Sequence, residues 1–156
     1  MKTIKNEKSN IVALNTFNNK IFYTSTDVET RELGKDFACI LKPTDIVFLN
    51  GDLGAGKTTF IQGVMSKFGI KGFVRSASFM LVSEFESETC NLYHLDLYRL
   101  DENNTFDLGI DEYLFGNGIS LIEWSDRIIH YNIKKRWEIN IDYTENGRKI
   151  KIKRYL

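Results

Sequence analysis

Apolar positions change their period several times along this chain, and each change marks an element. Ile21 to Thr24 alternates as a short strand. Thr26-Asp27-Val28-Glu29 then has the spacing of a capping box, and Leu33, Phe37, Ile40 and Leu41 recur at helical intervals. Pro43, the only proline, lies just past that run, where it bars continuation. Asp45 to Asn50 concentrates Ile, Val, Phe and Leu without alternation, as a strand covered on both faces does. Phe60, Ile61, Val64, Met65 and Phe68 return to helical spacing, with Gly69 placed to end the helix. Downstream, FMLVSEF, NLYHLDLYRL and ISLIEW predict strands separated by turn-rich or helical segments. WEINIDY, TENG and RKIKIKRY predict a hairpin that turns near Asn146-Gly147.

Strands alternating with helices predict an α/β fold, with a mainly parallel or mixed central sheet flanked by helices in three layers and closed by the C-terminal hairpin. Residues 1–19, rich in Asn and Lys, read as a loosely ordered N-terminal extension, and 20–156 read as one domain without repeats or linkers.

Composition narrows the class. The 42% apolar and 27% charged residues are ordinary for a globular protein, so neither disorder nor membrane insertion is expected. MKTIKNEKSN is polar where a secretory signal has its apolar core, which makes a soluble cytoplasmic protein the default. Basic and acidic residues balance at 21 each. That balance lacks the positive field needed to hold nucleic acid alone, so DNA is not an expected partner and any RNA contact is expected to be indirect or shared with a partner. Cys39 and Cys90 follow neither a redox nor a zinc spacing and are expected as buried thiols. His94 and His130 form no metal cluster.

The chemistry begins in LNGDLGAGKTTF. Gly51, Gly56, Lys57 and Thr58 match G-x-x-x-x-G-K-[ST] between a predicted strand and a predicted helix, the context a phosphate-binding P-loop requires. Across Gly51, Asp52, Leu53, Gly54, Ala55 and Gly56 the three glycines and the alanine let backbone N–H groups point inward at phosphate oxygens, and the helix N-terminus adds positive potential. Lys57 then reaches the β- and γ-phosphates, Thr58 offers its hydroxyl to Mg²⁺, and Thr59 continues the first turn. A flexible loop before a helix is the plainer alternative.

Two acids are candidates for the rest of the machinery. Asp96 shares a strand face with His94 and Tyr98 by period two, suiting a carboxylate that holds Mg²⁺ through water or a polar position on a half-exposed strand. Glu123 ends the apolar run Ile119-Ser120-Leu121-Ile122, at the strand end where open α/β sheets bind ligands, with Trp124 beside it. Spacing leaves open whether Glu123 orients water or supports the turn into a short helix at Ser125-Asp126. No N-K-x-D motif is present, so ATP is favoured over GTP.

Together GDLGAGKTT (51 to 59), SASFMLV (76 to 82), YHLDLYRL (93 to 100), LGIDEYL (108 to 114) and ISLIEWSDRI (119 to 128) resemble, in order and spacing, the TsaE (YjeE) family. The resemblance covers about residues 20 to 154. It implies a P-loop NTPase-like fold and a small bacterial Mg-dependent ATPase needed for threonylcarbamoyladenosine in tRNA. Such a protein binds the TsaB–TsaD heterodimer and supports its turnover without itself transferring the group. By the same resemblance Lys57 and Thr58 bind phosphate and Mg²⁺, while Asp96, Glu123 and Trp124 belong to the functional site. Glu123 joins Thr58 and Asp96 as a candidate metal residue, and Lys57, Asp96 and Glu123 are the candidate catalytic residues. The family's usual Ser-Pro-Thr-Phe stands here as Ser76-Ala77-Ser78-Phe79, which keeps a hydroxyl at Ser78 for the γ-phosphate or Mg²⁺ but loses the rigid proline.

Two other functions fit a P-loop: a small metabolite kinase, and a binding module whose nucleotide only fixes its shape. A further feature is the stripe Lys149, Lys151 and Lys153, which reads either as a contact for tRNA or an acidic partner, or as an edge strand guarded against aggregation.

Overall fold

The computed structural model describes residues 15–72, 81–100 and 109–156. Its elements run β1 (Lys20–Thr24), α1 (Asp27–Ala38), β2 (Ile46–Asn50), α2 (Lys57–Lys67), β3 (Val82–Glu86), β4 (Asn91–Asp96), α3 (Asp111–Leu114) and β5 (Ile119–Glu123). A 3-10 segment (Ser125–Tyr131), β6 (Arg136–Thr144) and β7 (Gly147–Tyr155) follow. The strands form one seven-stranded sheet ordered β1-β7-β6-β2-β5-β4-β3. The central run β6-β2-β5-β4 is parallel, while β1, β7 and β3 pair antiparallel at the two sides. The fold is thus the expected α/β arrangement in its mixed form.

The unbroken apolar character of β2 has its cause in the layers. Val47 and Leu49 point into the larger core with Phe37 of α1 and Phe60, Ile61 and Val64 of α2. Ile46 points the other way, into a smaller core with Ile110, Leu114 and Ile128. Both faces of this strand are therefore dry, as a central parallel strand requires. Phe37 meets Trp137 of β6 edge-on at 5.2 Å between ring centroids, tying the helix layer to the hairpin half of the sheet.

Helices α1 and α2 approach backbone to backbone. A Cβ at Gly63 would overlap the Arg31 carbonyl oxygen, and one at Gly34 would overlap that of Phe60. Helix α1 starts as its capping box predicts: the Thr26 hydroxyl oxygen accepts from the Glu29 N–H at 3.1 Å. The reciprocal bond is displaced by one residue, the Glu29 carboxylate accepting from the Ser25 N–H at 2.6 Å. Ile40 and Leu41, expected on the helix, follow its end and are buried in the turn toward Pro43.

Three expectations change. Within the segment read as a loose extension, residues 15–17 are helical and Phe17 is buried against Phe22 and Phe37, because its ring completes the larger core. Strand β7 is not an edge: β1 pairs beyond it, from Lys20 opposite Ile152 to Thr24 opposite Arg148, so its lysines do not guard a sheet edge. Cys39 is exposed and Cys90 half-buried, because both sit at element ends rather than on core-facing positions. Among the described residues, no helix is long and apolar enough to cross a membrane.

Candidate functional site

The loop from Gly51 to Gly56 leaves the carboxyl end of β2 and enters α2. Its path depends on two glycines. Gly51 has φ of 148° and no room for a Cβ, which would strike the Ile141 carbonyl oxygen. Gly56 caps α2 with φ of 110° and supplies no side-chain hydrogen bond. The first-turn amides of α2 therefore lack the usual side-chain acceptor and remain available to an anion.

Lys57 is the first residue of α2 and is buried, with 4% of its surface exposed. Its Nζ donates to the Gly51 and Asp52 carbonyls at 2.7 and 2.9 Å and lies 4.4 Å from the centre of the Trp124 ring. Burial lowers the Lys57 pKa from the ordinary value, and the carboxylates of Glu123, Asp96 and Asp52 oppose that shift. No carboxylate closes a direct ion pair on it among the described residues, so carbonyl oxygens hold the ammonium over the loop.

The parallel register of β4 and β5 places Asp96 opposite Glu123. One oxygen of Glu123 accepts from the Thr58 hydroxyl at 2.9 Å and lies 2.9 Å from Nε2 of His94. His94 is fully buried and Glu123 is 3% exposed. Nδ1 of His94 is buried without a hydrogen-bond partner among the described residues. Asp96 accepts from the Tyr98 N–H at 3.2 Å, which fixes the chain as it leaves β4. Tyr98 lies past the strand end instead of on its face, and packs on Trp124 at 4.9 Å between centroids. Trp124 itself turns the chain out of β5 with φ of 60°.

Leu53, Gly54, Gly56, Lys57, Thr58, Thr59, Asp96, Tyr98, Glu123 and Trp124 line one cleft of about 370 Å³. Most of the sites read from the sequence thus converge, with Gly51, Asp52 and Ala55 completing the loop behind it; Ser78 lies outside the described residues. Sequence reasoning noticed His94 and Tyr98 by their strand period but gave neither a task, and it passed over Tyr143 and Arg148. Those two carried no local signal.

The uncapped start of α2 beside the oxygen donors of Thr58, Asp96 and Glu123 fits a nucleotide with Mg²⁺, since that ion takes one or two carboxylates together with phosphate oxygens. The model of the family described as "Threonylcarbamoyl adenosine biosynthesis protein TsaE" matches residues 24–150. The chain belongs to the TsaE family. The TsaE protein of Bacillus subtilis (strain 168) is 41% identical over 113 residues, covering 72% of this chain and 71% of that one. The TsaE protein of Rickettsia conorii is 40% identical over 128 residues, covering 81% and 73%. A crystal structure of Bacillus subtilis YdiB superposes with a TM-score of 0.74 at 35% identity, covering 85% of this chain and 83% of that one. The TsaE match spans the glycine loop and both acidic strand ends.

Proposed function

We propose that this chain is a Mg-dependent P-loop ATPase of threonylcarbamoyladenosine biosynthesis that acts on the TsaB–TsaD pair, with tRNA reached through that pair. The relatives carry the name "tRNA threonylcarbamoyladenosine biosynthesis protein TsaE", which supports the pathway. The observation that carries the chemistry is the meeting of Lys57, Thr58 and Glu123 at the mouth of the glycine loop, with Asp96 on the next strand.

Loop amides and the Lys57 ammonium hold the β- and γ-phosphates, and Lys57 exchanges its two carbonyl partners for phosphate oxygens. Thr58 and Glu123, already within hydrogen-bond distance, are the residues that hold Mg²⁺. Held there, Mg²⁺ would supply positive charge that offsets the negative charge of the phosphate groups. His94 fixes the Glu123 carboxylate in this position. Asp96, one strand further out, is then the acid that orients the attacking water. Trp124 and Tyr98 wall the cleft.

Phosphate release from Mg-ATP by the purified protein, alone and with the TsaB–TsaD pair, tests this reading. Release stimulated by the pair and absent in Lys57→Ala is expected. A phosphorylated metabolite in place of free phosphate, or release that Lys57→Ala retains, would overturn it.

A further inference from the structure

One cross-strand pair of the C-terminal hairpin stands against the outer wall of the phosphate loop. Tyr143 of β6 and Arg148 of β7 are opposite each other in the antiparallel register. Arg148 Nε donates to the Ala55 carbonyl at 2.8 Å, its Nη1 donates to Thr30 Oγ1 at 3.3 Å, and its Nη2 pairs with Asp27 Oδ1 at 2.5 Å. The Tyr143 hydroxyl lies 3.5 Å from the Leu53 carbonyl oxygen. A Cβ on Gly56 would stand 2.7 Å from Arg148 Nε, and one on Gly54 would stand 2.9 Å from the Tyr143 hydroxyl. The two glycines thus leave space that this pair fills.

We propose that Arg148, backed by Tyr143, is a positioning residue that keeps the phosphate loop in its binding shape. The inference rests on the reading of that loop as a nucleotide site. Lys57 takes the Gly51 and Asp52 carbonyls, whereas Ala55 is only 1% exposed, so water is a poor partner for its carbonyl. Arg148 meets that need from behind. Its planar fork simultaneously reaches the first turns of α1 at Asp27 and Thr30, and Thr30 is bonded in turn to Thr24 of β1 at 2.8 Å. The loop is thereby fastened to α1 and to both strands at that side of the sheet. A lysine at 148 keeps the charge but lacks the fork.

ADP affinity measured by calorimetry on the full chain, with hydrogen exchange of residues 51–56, tests the assignment. Arg148→Met is expected to weaken ADP binding about tenfold, the worth of a lost charge-assisted hydrogen bond. Exchange should rise in the loop while Asn91–Asp96 and Ile119–Glu123 keep their protection, and added guanidinium should restore part of the affinity. Arg148→Lys should show the same changes at smaller size, and it carries the test if the methionine variant does not fold. Unchanged ADP affinity in a folded variant, or exchange raised equally in those strands, would overturn the positioning role. Failure of the wild-type chain to bind ADP would instead overturn the nucleotide reading, while loop exchange in the variants still reports on the clamp.

Discussion

Helices α1 and α2 lie side by side in one layer, yet they begin in opposite ways. At α1, the Thr26 side chain caps the Glu29 amide, and Asp27 and Glu29 put negative charge in the first turn. At α2, Gly56 provides no cap, the first turn holds no acid, and the first residue is the cation Lys57. An isolated helix is weakened by a cation and by unpaired amides at its N-terminus. Helix α1 therefore answers its own dipole with side chains, whereas the start of α2 has neither a side-chain cap nor a first-turn acid. The close Gly34 and Gly63 crossing stabilises the second helix through the first, so the open start persists without local capping.

The contrast can be broken in graded steps, the largest at the acids that complete the open start. Asp96→Asn should lower ATP hydrolysis by about a hundredfold or more while nucleotide affinity survives, as expected for a lost general base or water-orienting group. Glu123→Gln should lose the Mg dependence of nucleotide affinity as well, because it removes the carboxylate bonded to Thr58. Steady-state rates beside calorimetry with and without Mg²⁺ separate the two, and the opposite assignment of phenotypes would exchange their roles.

Parting the two helices should cost stability next. Gly63→Ala forces a methyl group onto the Arg31 carbonyl and should destabilise the fold by about 1–3 kcal/mol in urea unfolding. A wild-type midpoint would show that α1 can slide without penalty.

Removing the cap that α1 possesses should do less. Thr26→Ala should cost about 1 kcal/mol of stability in the same assay, with ADP affinity unchanged. Loss of ADP affinity comparable to that of a loop variant would mean the two helix starts are not independent.

The smallest effect concerns the charge on Lys57. Its folded pKa is lowered from 10.5, chiefly by burial, so the charged form is costly in the folded chain. Between that lowered pKa and 10.5, the unfolded chain keeps a proton that the folded chain releases, and stability rises with pH. Urea midpoints across alkaline pH should show this rise in the wild type relative to Lys57→Met. Parallel curves would remove burial of the charge as a cost to the fold.

Much of this was legible because it is local. The Gly51–Thr58 spacing, the strand before it and the apolar stripe after it lie within one short segment. The Thr26 cap was legible for the same reason. The alliance of Asp96 with Glu123 depends on a parallel register that no local pattern specifies, although each acid stood at a predicted strand end. Arg148 was not legible, since its loop partner Ala55 is brought to it only by sheet order, and its basic neighbours Lys149, Lys151 and Lys153 drew attention to the other face of β7. The interior place of β7 failed to show for a related reason: β1 joins it from the opposite end of the described chain. Cysteine burial was inferred from residue type, which says nothing about position at an element end.

Calorimetric titration of ADP into the wild-type chain, Lys57→Ala and Thr26→Ala addresses the uncapped start of α2 most directly. Saturable binding in the wild type and Thr26→Ala, reduced about a hundredfold or abolished in Lys57→Ala, is the expected pattern for an anion site built from that helix start and its lysine. Equal binding by all three proteins, or none by the wild type, would contradict it.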